Sequence, residues 1–409
     1  MAAALLNPDE RAGAGRDRLL VWAAAFLRAV ATGMLGVLLG LHLLRRGLDP
    51  AQIGVVVTAG LLGAAAAALL VMLRGERIGC RRSQVAIAVL CAIGTAALAF
   101  TQNVLPAAAA ACLGMVNGMG RDRGAALVLD QAILPRTIGD SGRTLAFARY
   151  HLLQDAGHAL GALAAGLPAL FQRIGIGEHA SLRLGMLIAA SAMLTTAVLY
   201  ARLTPDVNRP IARVRVDAGT RRLLWRIAPL FALDSLGSGF LGASLLTVFF
   251  HEHFAAGEAM LGALFAAAGL ANAVSHLGAA WLARRIGLVN TMVFTHIPSS
   301  LILAAIAWAP DLPTAAVLFL LREGLVEMDV PTRQSYVMAV VRPEERTFVA
   351  GVTHLVRLGA WAVAPAVAGV LMQNAAITAP LLVGAGIKIA YDVLLYFACR
   401  KHPPPEEVA

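Results

Sequence analysis

The sequence predicts an all-α polytopic membrane protein: two pseudo-symmetric six-helix bundles, twelve transmembrane helices in total. Three observations predict it. Of 409 residues, 59% are apolar and only 14% charged, whereas a soluble protein is about one-quarter charged. Twelve stretches carry the roughly 20 apolar residues that a spanning helix needs. The 34 basic residues, which leave a net charge of +10, collect mainly in loops on one side. That last pattern reads as an orientation signal and sets aside nucleic-acid binding as the meaning of the charge.

The expected spans follow in chain order. The first covers 19–44; it is too long for a signal peptide and stays in the mature chain. Spans two and three cover 51–73 and 84–101, separated by a loop holding Arg74, Arg77, Arg81 and Arg82. The fourth, 105–133, carries Arg121, Asp122, Arg123 and Asp130, and the fifth, 145–171, carries Asp155. The sixth covers 184–201. A basic, proline-containing stretch, 202–226, then divides the chain into a bundle over 1–201 and another over 227–409. Spans seven to twelve cover 227–250, 259–283, 288–308, 313–331, 347–372 and 377–399. With an even number of spans both termini lie on one side, and the basic excess makes that side the cytoplasm. The expected location is the cell's inner (plasma) membrane, and a monomer in the lipid bilayer is expected.

The halves repeat one another. An offset of 203 pairs Gln131 with Gln334, Arg143-Thr144 with Arg346-Thr347, His151 with His354 and Gly166 with Gly369. In the first span an offset of 206 pairs Gly33 with Gly239 and Gly36 with Gly242; Arg77-Ile78-Gly79 returns as Arg285-Ile286-Gly287. Parallel six-span repeats are a transporter architecture.

The loop Leu73-Arg-Gly-Glu-Arg-Ile-Gly-Cys-Arg-Arg82 resembles the signature G-x-L-a-D-R-x-G-R-R of the major facilitator superfamily. Glu76 stands for its Asp, Arg77 and Gly79 match, and the basic pair arrives one residue late as Arg81-Arg82. Met72 replaces the leading Gly. The stretch Pro331–Thr347 resembles that superfamily's tenth-to-eleventh connection. Gly157-x-x-x-Gly161-Ala162-x-x-Ala165-Gly166 is similar to the antiporter pattern G-x-x-x-G-P-x-x-G-G, with Ala for the Pro and for one Gly. The fourth-span pattern R-x-x-x-G of drug–proton antiporters is absent. The resemblance implies a transporter, not an enzyme, whose first, fourth, seventh and tenth spans line a central cavity. It implies a small-molecule substrate, with protons as the second partner, and no cofactor.

An ionisable group inside a span costs about 2.5–3.5 kcal/mol even on lenient scales, so each needs a partner or a task. Substrate or proton contacts are expected from Arg28, Arg121, Asp122, Arg123, Asp155, Asp234, Arg322, Glu323 and Glu327. Gating is expected from Glu76, Arg77, Gly79, Arg81, Asp130, Asp329 and Arg333, with Asp130 in a charge latch around the motif loop. The repeat makes Arg28 equivalent to Asp234 and Asp130 to Arg333, with opposite signs in the two halves. Two arrangements follow. Arg28–Asp234, and more weakly Arg123–Glu327, attract across the cavity; or each charge pairs within its own half, as Asp329–Arg333 and Lys388–Asp392 are spaced to do. Asp234 or Glu327, then Asp155, is the expected proton carrier. His151, Asp155 and His158 share a face suited to a relay.

Other chemistries lack their residues. Neither HExxH nor a P-loop is present, and the four cysteines show no CxxC spacing. Gly237-Ser-Gly239-Phe-Leu-Gly242 lies within a span and reads as helix packing, and His251-Glu-His253 reads as an exposed polar turn. The expected function is efflux of a small organic molecule by proton antiport, with proton-coupled uptake of a polar or anionic metabolite as the alternative. A non-transporting receptor would keep the fold without complementary charge at mid-membrane.

Overall fold

The computed structural model describes residues 8–122, 124–138, 143–204, 217–329, 333, 341 and 345–399. Among them there is no strand. Fifteen helices follow one another: α1 Pro8–Arg45, α2 Pro50–Ile78, α3 Cys80–Leu98, α4 Val104–Leu113, α5 Ala125–Ile133, α6 Arg143–Ala164, α7 Leu167–Arg173 and α8 Glu178–Ala201, then α9 Ala218–Gly239, α10 Ala243–Phe254, α11 Glu258–Ile286, α12 Leu288–Ile306, α13 Leu312–Val326, α14 Arg346–Asn374 and α15 Ala379–Cys399. α9 begins inside the stretch expected to be linker. Nine described stretches are long and apolar enough to cross a membrane: Gly13–Arg45, Pro50–Arg74, Cys80–Leu98, Glu178–Ala201, Ala218–Phe254, Glu258–Ser275, Leu288–Ile306, Phe348–Asn374 and Ala379–Ala398.

The three expected spans outside that set are the fourth, fifth and tenth. The fourth is two helices, not one. α4 ends at Leu113, and the backbone stays non-helical until α5, with φ 49° at Met115 and 75° at Gly120. Asn117 holds this segment: its Nδ2 donates to the Arg121 carbonyl and its Oδ1 accepts from Met119 N at 2.8 Å. Non-helical backbone at membrane depth is tolerated where protein buries it or it lines a cavity. The fifth expected span bends at Ala165-Gly166 between α6 and α7, and the seventh breaks over 240–242.

Small residues set the close approaches, as helix packing without a hydrophobic drive requires. A Cβ on Gly157 or Gly161 would meet the α1 backbone at Phe26 or Val30. Gly54 and Gly369 fit α2 against α14 in the same reciprocal way, against Pro365 and Pro50. Aspartates cap the starts of α9 and α13. Asp311 accepts from Thr314 N at 2.9 Å, and its hydrogen bonds from Thr314 hold the carboxyl below the usual aspartate value. Asp217 caps α9 through Gly219 N at 3.1 Å.

The apolar core is continuous at one end and divided at the other. One cluster joins Met34, Leu38 and Leu41 of α1 to Phe249 and Phe250 of α10 and Phe319 of α13. At the opposite end Val21, Ala25, Leu129 and Tyr200 form one cluster. Leu224, Phe231, Met292 and Leu395 form another.

Candidate functional site

A cavity of about 160 Å³ lies between the N-terminal helices α1–α8 and the C-terminal helices α9–α15. Arg121, Asp155 and His158 line it from the first set; Asp234, Asn272, His296, Arg322, Glu323, Glu327, Asp329, Arg333, Arg357 and Lys388 line it from the second. Phe265, Phe319 and Trp361 supply its aromatic wall.

Three groups of charge meet at or beside it. The first surrounds Arg28, which is 4% exposed. Its Nε donates to Asp122 Oδ2 at 2.5 Å and its Nη2 to Asp130 Oδ2 at 2.7 Å; Nη1 donates to the Tyr200 hydroxyl. Gln84, Tyr150 and Tyr200 donate to Asp130 at 2.7, 2.9 and 2.9 Å. Gln154 donates to Asp122 at 3.2 Å, and Asp122 N donates to His158 Nε2 at 2.9 Å. That bond makes His158 Nε2 an acceptor, so the ring is neutral with its proton on Nδ1.

The second group surrounds Asp234, which is 3% exposed. Arg333 Nη1 donates to it at 2.9 Å, Lys388 Nζ at 3.3 Å, and Arg357 Nη2 lies 3.6 Å away. Arg333 also holds Asp329 at 2.8 Å. His296 bonds Asp392 through Nδ1 at 2.8 Å and Lys388 through Nε2 at 3.1 Å. The third group crosses between the helix sets. Arg121 Nη1 meets Glu327 Oε1 at 3.2 Å, both partly exposed. Arg322 pairs with its neighbour Glu323, to which Asn272 Nδ2 donates at 2.8 Å.

Several expectations change here. Arg28 and Asp234 do not attract each other across the cavity in this structure; each is neutralised by its own set of helices. The sign reversal under the repeat has another meaning. Arg28–Asp130 and Asp234–Arg333 are the same pair, built at equivalent positions with charges exchanged. Asp130 therefore serves Arg28, because four donors from α1, α3, α6 and α8 converge on its carboxylate. Lys388 and Asp392 are not each other's partners, since His296 of α12 stands between them. Asp329–Arg333 pairs as spaced. A cross-cavity bridge joins Arg121 to Glu327, because the unwound backbone before α5 turns Arg121 to face it. Arg123 lies outside the described residues, as do the side chains of Glu76 and Arg77. His151 is exposed while Asp155 and His158 line the cavity, so the expected three-member face is reduced to two.

Gly79 has φ 86° and Gly287 φ 84°, and each carbonyl accepts the side chain four residues on, Ser83 or Thr291. The repeated Arg-Ile-Gly thus marks two equivalent one-residue helix junctions. Gly33 and Gly239 fit against His158 and Trp361 in the same way, again at the repeat offsets. Gly237 packs on Lys388 and Ile387, consistent with a packing role for its glycine motif. His251 Nδ1 is bonded to the Ala256 carbonyl at 2.8 Å. Asp234, His296 and Asp329 bring ligand atoms within 4.8 Å of one another, but Lys388 and Arg333 already supply the cations among them. His296, Arg357, Asn272 and the buried tyrosines fall outside the expected set. Polar and ionisable residues on the spans beyond the first, fourth, seventh and tenth were the signal that could have found them.

Cavity, paired intramembrane charges and repeat define a membrane transporter built from related halves. The Major Facilitator Superfamily model matches residues 21–358 and 227–409, and the chain belongs to that family. It is 24% identical to the Saccharomyces cerevisiae "Uncharacterized membrane protein YJR124C", over 93% of this chain and 94% of that one. The nucleoside transporter NupG superimposes with a TM-score of 0.73 at 15% identity, covering 94% of this chain and 99% of that chain. A D-xylose–proton symporter gives 0.72 at 12%, covering 93% and 97%. The human organic anion transporter MFSD10 gives 0.61 at 18%, covering 95% and 100%. The chain is thus a multi-pass transporter of major facilitator type and not an enzyme.

Proposed function

We propose that this chain is a proton-coupled carrier of a small polar organic solute, working by alternating access around the central cavity. Twelve passes follow if α4–α5, α6–α7 and α13 with the segment to Arg333 each cross once. The two six-helix bundles, 1–201 and 227–409, then rock about the cavity as a monomer in the inner membrane, with both termini cytoplasmic by the positive-inside rule.

The observation that carries this reading is the Arg121–Glu327 bridge, the one ion pair among the described residues lining the cavity that joins the two helix sets. It stands beside an unwound helix, and discontinuous helices of this kind build transporter binding sites. Protonating Glu327, or inserting a polar solute between it and Arg121, removes a contact that ties the bundles together and so shifts the balance between facing states. Asp155 is the second carboxylate placed to share this task, and Asp234, already matched by cations, serves as their anchor.

Uptake with protons is the favoured direction. A lining of four arginines, a lysine, two glutamates, three aspartates, two histidines and two asparagines suits a hydrophilic solute. Efflux by antiport is the second reading; it rests on the fifth-span pattern, whose Gly157 and Gly161 are also required to pack α6 on α1.

Purified protein in vesicles with an internal pH dye tests this against nucleosides, sugars, amino acids and dipeptides. Solute-driven acidification of the lumen supports symport, and solute-evoked collapse of an imposed gradient supports antiport. Glu327→Gln is expected to abolish gradient-driven transport and spare solute exchange. Full coupled transport in Glu327→Gln, or no proton movement across the panel, overturns the proposal.

A further inference from the structure

His296 lies on α12, outside the helices that line such cavities by resemblance, yet it faces this one and is 1% exposed. Its surroundings are all chemically specific. From α15 come Asp392 on Nδ1, Lys388 on Nε2 and the Tyr391 ring at 6.0 Å in edge contact. From α9 comes Asp234 and from beyond α13 comes Asp329, each with an oxygen within 4.8 Å of a ring nitrogen; Arg333 and Arg357 stand behind Asp234.

A lysine ammonium can only donate, so His296 Nε2 accepts from Lys388 and its Nδ1–H donates to Asp392. The ring is then neutral, and three acids (Asp234, Asp329, Asp392) balance three bases (Arg333, Arg357, Lys388). A chain of bonds runs from Asp392 through His296 and Lys388 to Asp234.

We propose that His296 is a second proton-binding site of this transporter, and that its protonation releases Arg357 into the cavity as an anion-binding group for the solute. A proton entering from the cavity forms an N–H bond at Nε2. Two donors then face each other across 3.1 Å, so the Lys388–His296 hydrogen bond breaks and Lys388 turns wholly to Asp234. Of the three cations on Asp234, Arg357 is the farthest, at 3.6 Å, and the most exposed, at 18% of its side chain. It leaves first. Its remaining contacts are Ser235 Oγ at 3.1 Å and the face of Trp361 at 5.1 Å, and Arg357 and Trp361 both already line the cavity. The solute favoured by the protonated state carries a carboxylate or phosphate.

This rests on the proton-coupled reading but is tested separately, without a solute. Trp361 reports the position of Arg357. In a chain with Trp22, Trp225, Trp281 and Trp308 replaced by Phe, Trp361 emission is expected to titrate in one step as the pH is lowered, as a histidine takes up its proton. His296→Gln or His296→Asn is expected to lose the step, and so is Lys388→Met, whose uncharged side chain cannot shift between His296 and Asp234. His251→Gln, in the last turn of α10 and outside the cavity lining, keeps it. A flat parent overturns the proposal with no variant needed, and so does a step that persists in either His296 variant. If vesicles couple protons while Trp361 stays flat, the carrier is elsewhere; if Trp361 titrates through His296 in vesicles that move no protons, the coupling reading is what fails.

Discussion

At the scale of residues, the molecule solves one electrostatic problem twice with opposite signs. An arginine and an aspartate buried at equivalent positions must be paired, because a lone ion in a dry interior is far costlier than the pair. On the N-terminal side Arg28 is the centre and carboxylates and phenols surround it; on the C-terminal side Asp234 is the centre and cations surround it. Removing one partner leaves the other exposed to the full penalty. Asp130→Ala is therefore expected to lower stability by about 3–5 kcal/mol, read as the denaturant midpoint in detergent. Asp130→Asn should lose less, since its one amide oxygen, in the Oδ1 position, still accepts from Gln84 and Tyr200. Equal losses in the two variants would mean that charge, not hydrogen bonding, dominates the cluster. The sequence displayed the sign reversal openly. What it lacked was the direction of each side chain. A repeat offset says which residues are equivalent but not whether they face each other or face inward, and only the convergence of α1, α3, α6 and α8 on Asp130 decided that.

At the scale of elements, hydropathy located the helices and missed their breaks. The fourth span reads as one continuous helix because averaging over a window ignores Gly114, Gly118, Gly120 and Gly124, which let the chain leave the helix. Asn117 then supplies the hydrogen bonds that the unwound backbone has lost. The packing glycines were legible as a pattern, though not as contacts. Gly161 lies so close to Val30 that any side chain meets backbone, whereas Gly359, on α14, has open space around it. Gly161→Val is expected to cost about 1–3 kcal/mol by overpacking. Gly359→Ala is expected to gain about 0.5–1 kcal/mol by stiffening the helix. Thermal unfolding of the two variants side by side checks both signs, and a neutral Gly161→Val would show that α1 and α6 separate more easily than their contact suggests.

At the scale of the whole molecule, the continuous apolar cluster at the α10 end must open if the two helix sets rock. Its polar centre is small and specific. Ser244 N donates to the Gly118 carbonyl at 2.9 Å and Ser244 Oγ to the Gly36 carbonyl at 3.1 Å, so the first turn of α10 is tied to both the unwound segment and α1. Gly120 adjoins this knot with φ 75°, and a Cβ there would come within 2.9 Å of the Ala243 Cβ. A valine at 120 therefore drives a wedge between the sets and strains a left-handed backbone at once. A bias of about 1.4 kcal/mol changes the populations of the two facing states about tenfold. The reporter is a cysteine at Leu246, which lines the cavity and is 5% exposed. Membrane-impermeant maleimide added from the α10 side is expected to label Leu246→Cys about tenfold faster when Gly120→Val is also present. The endogenous Cys80, Cys91, Cys112 and Cys399 are replaced by Ala beforehand. An unchanged or slower rate would mean that the Ser244 knot is not what keeps the α10 end shut, and that the seal resides in Phe249, Phe250 and Phe319 instead.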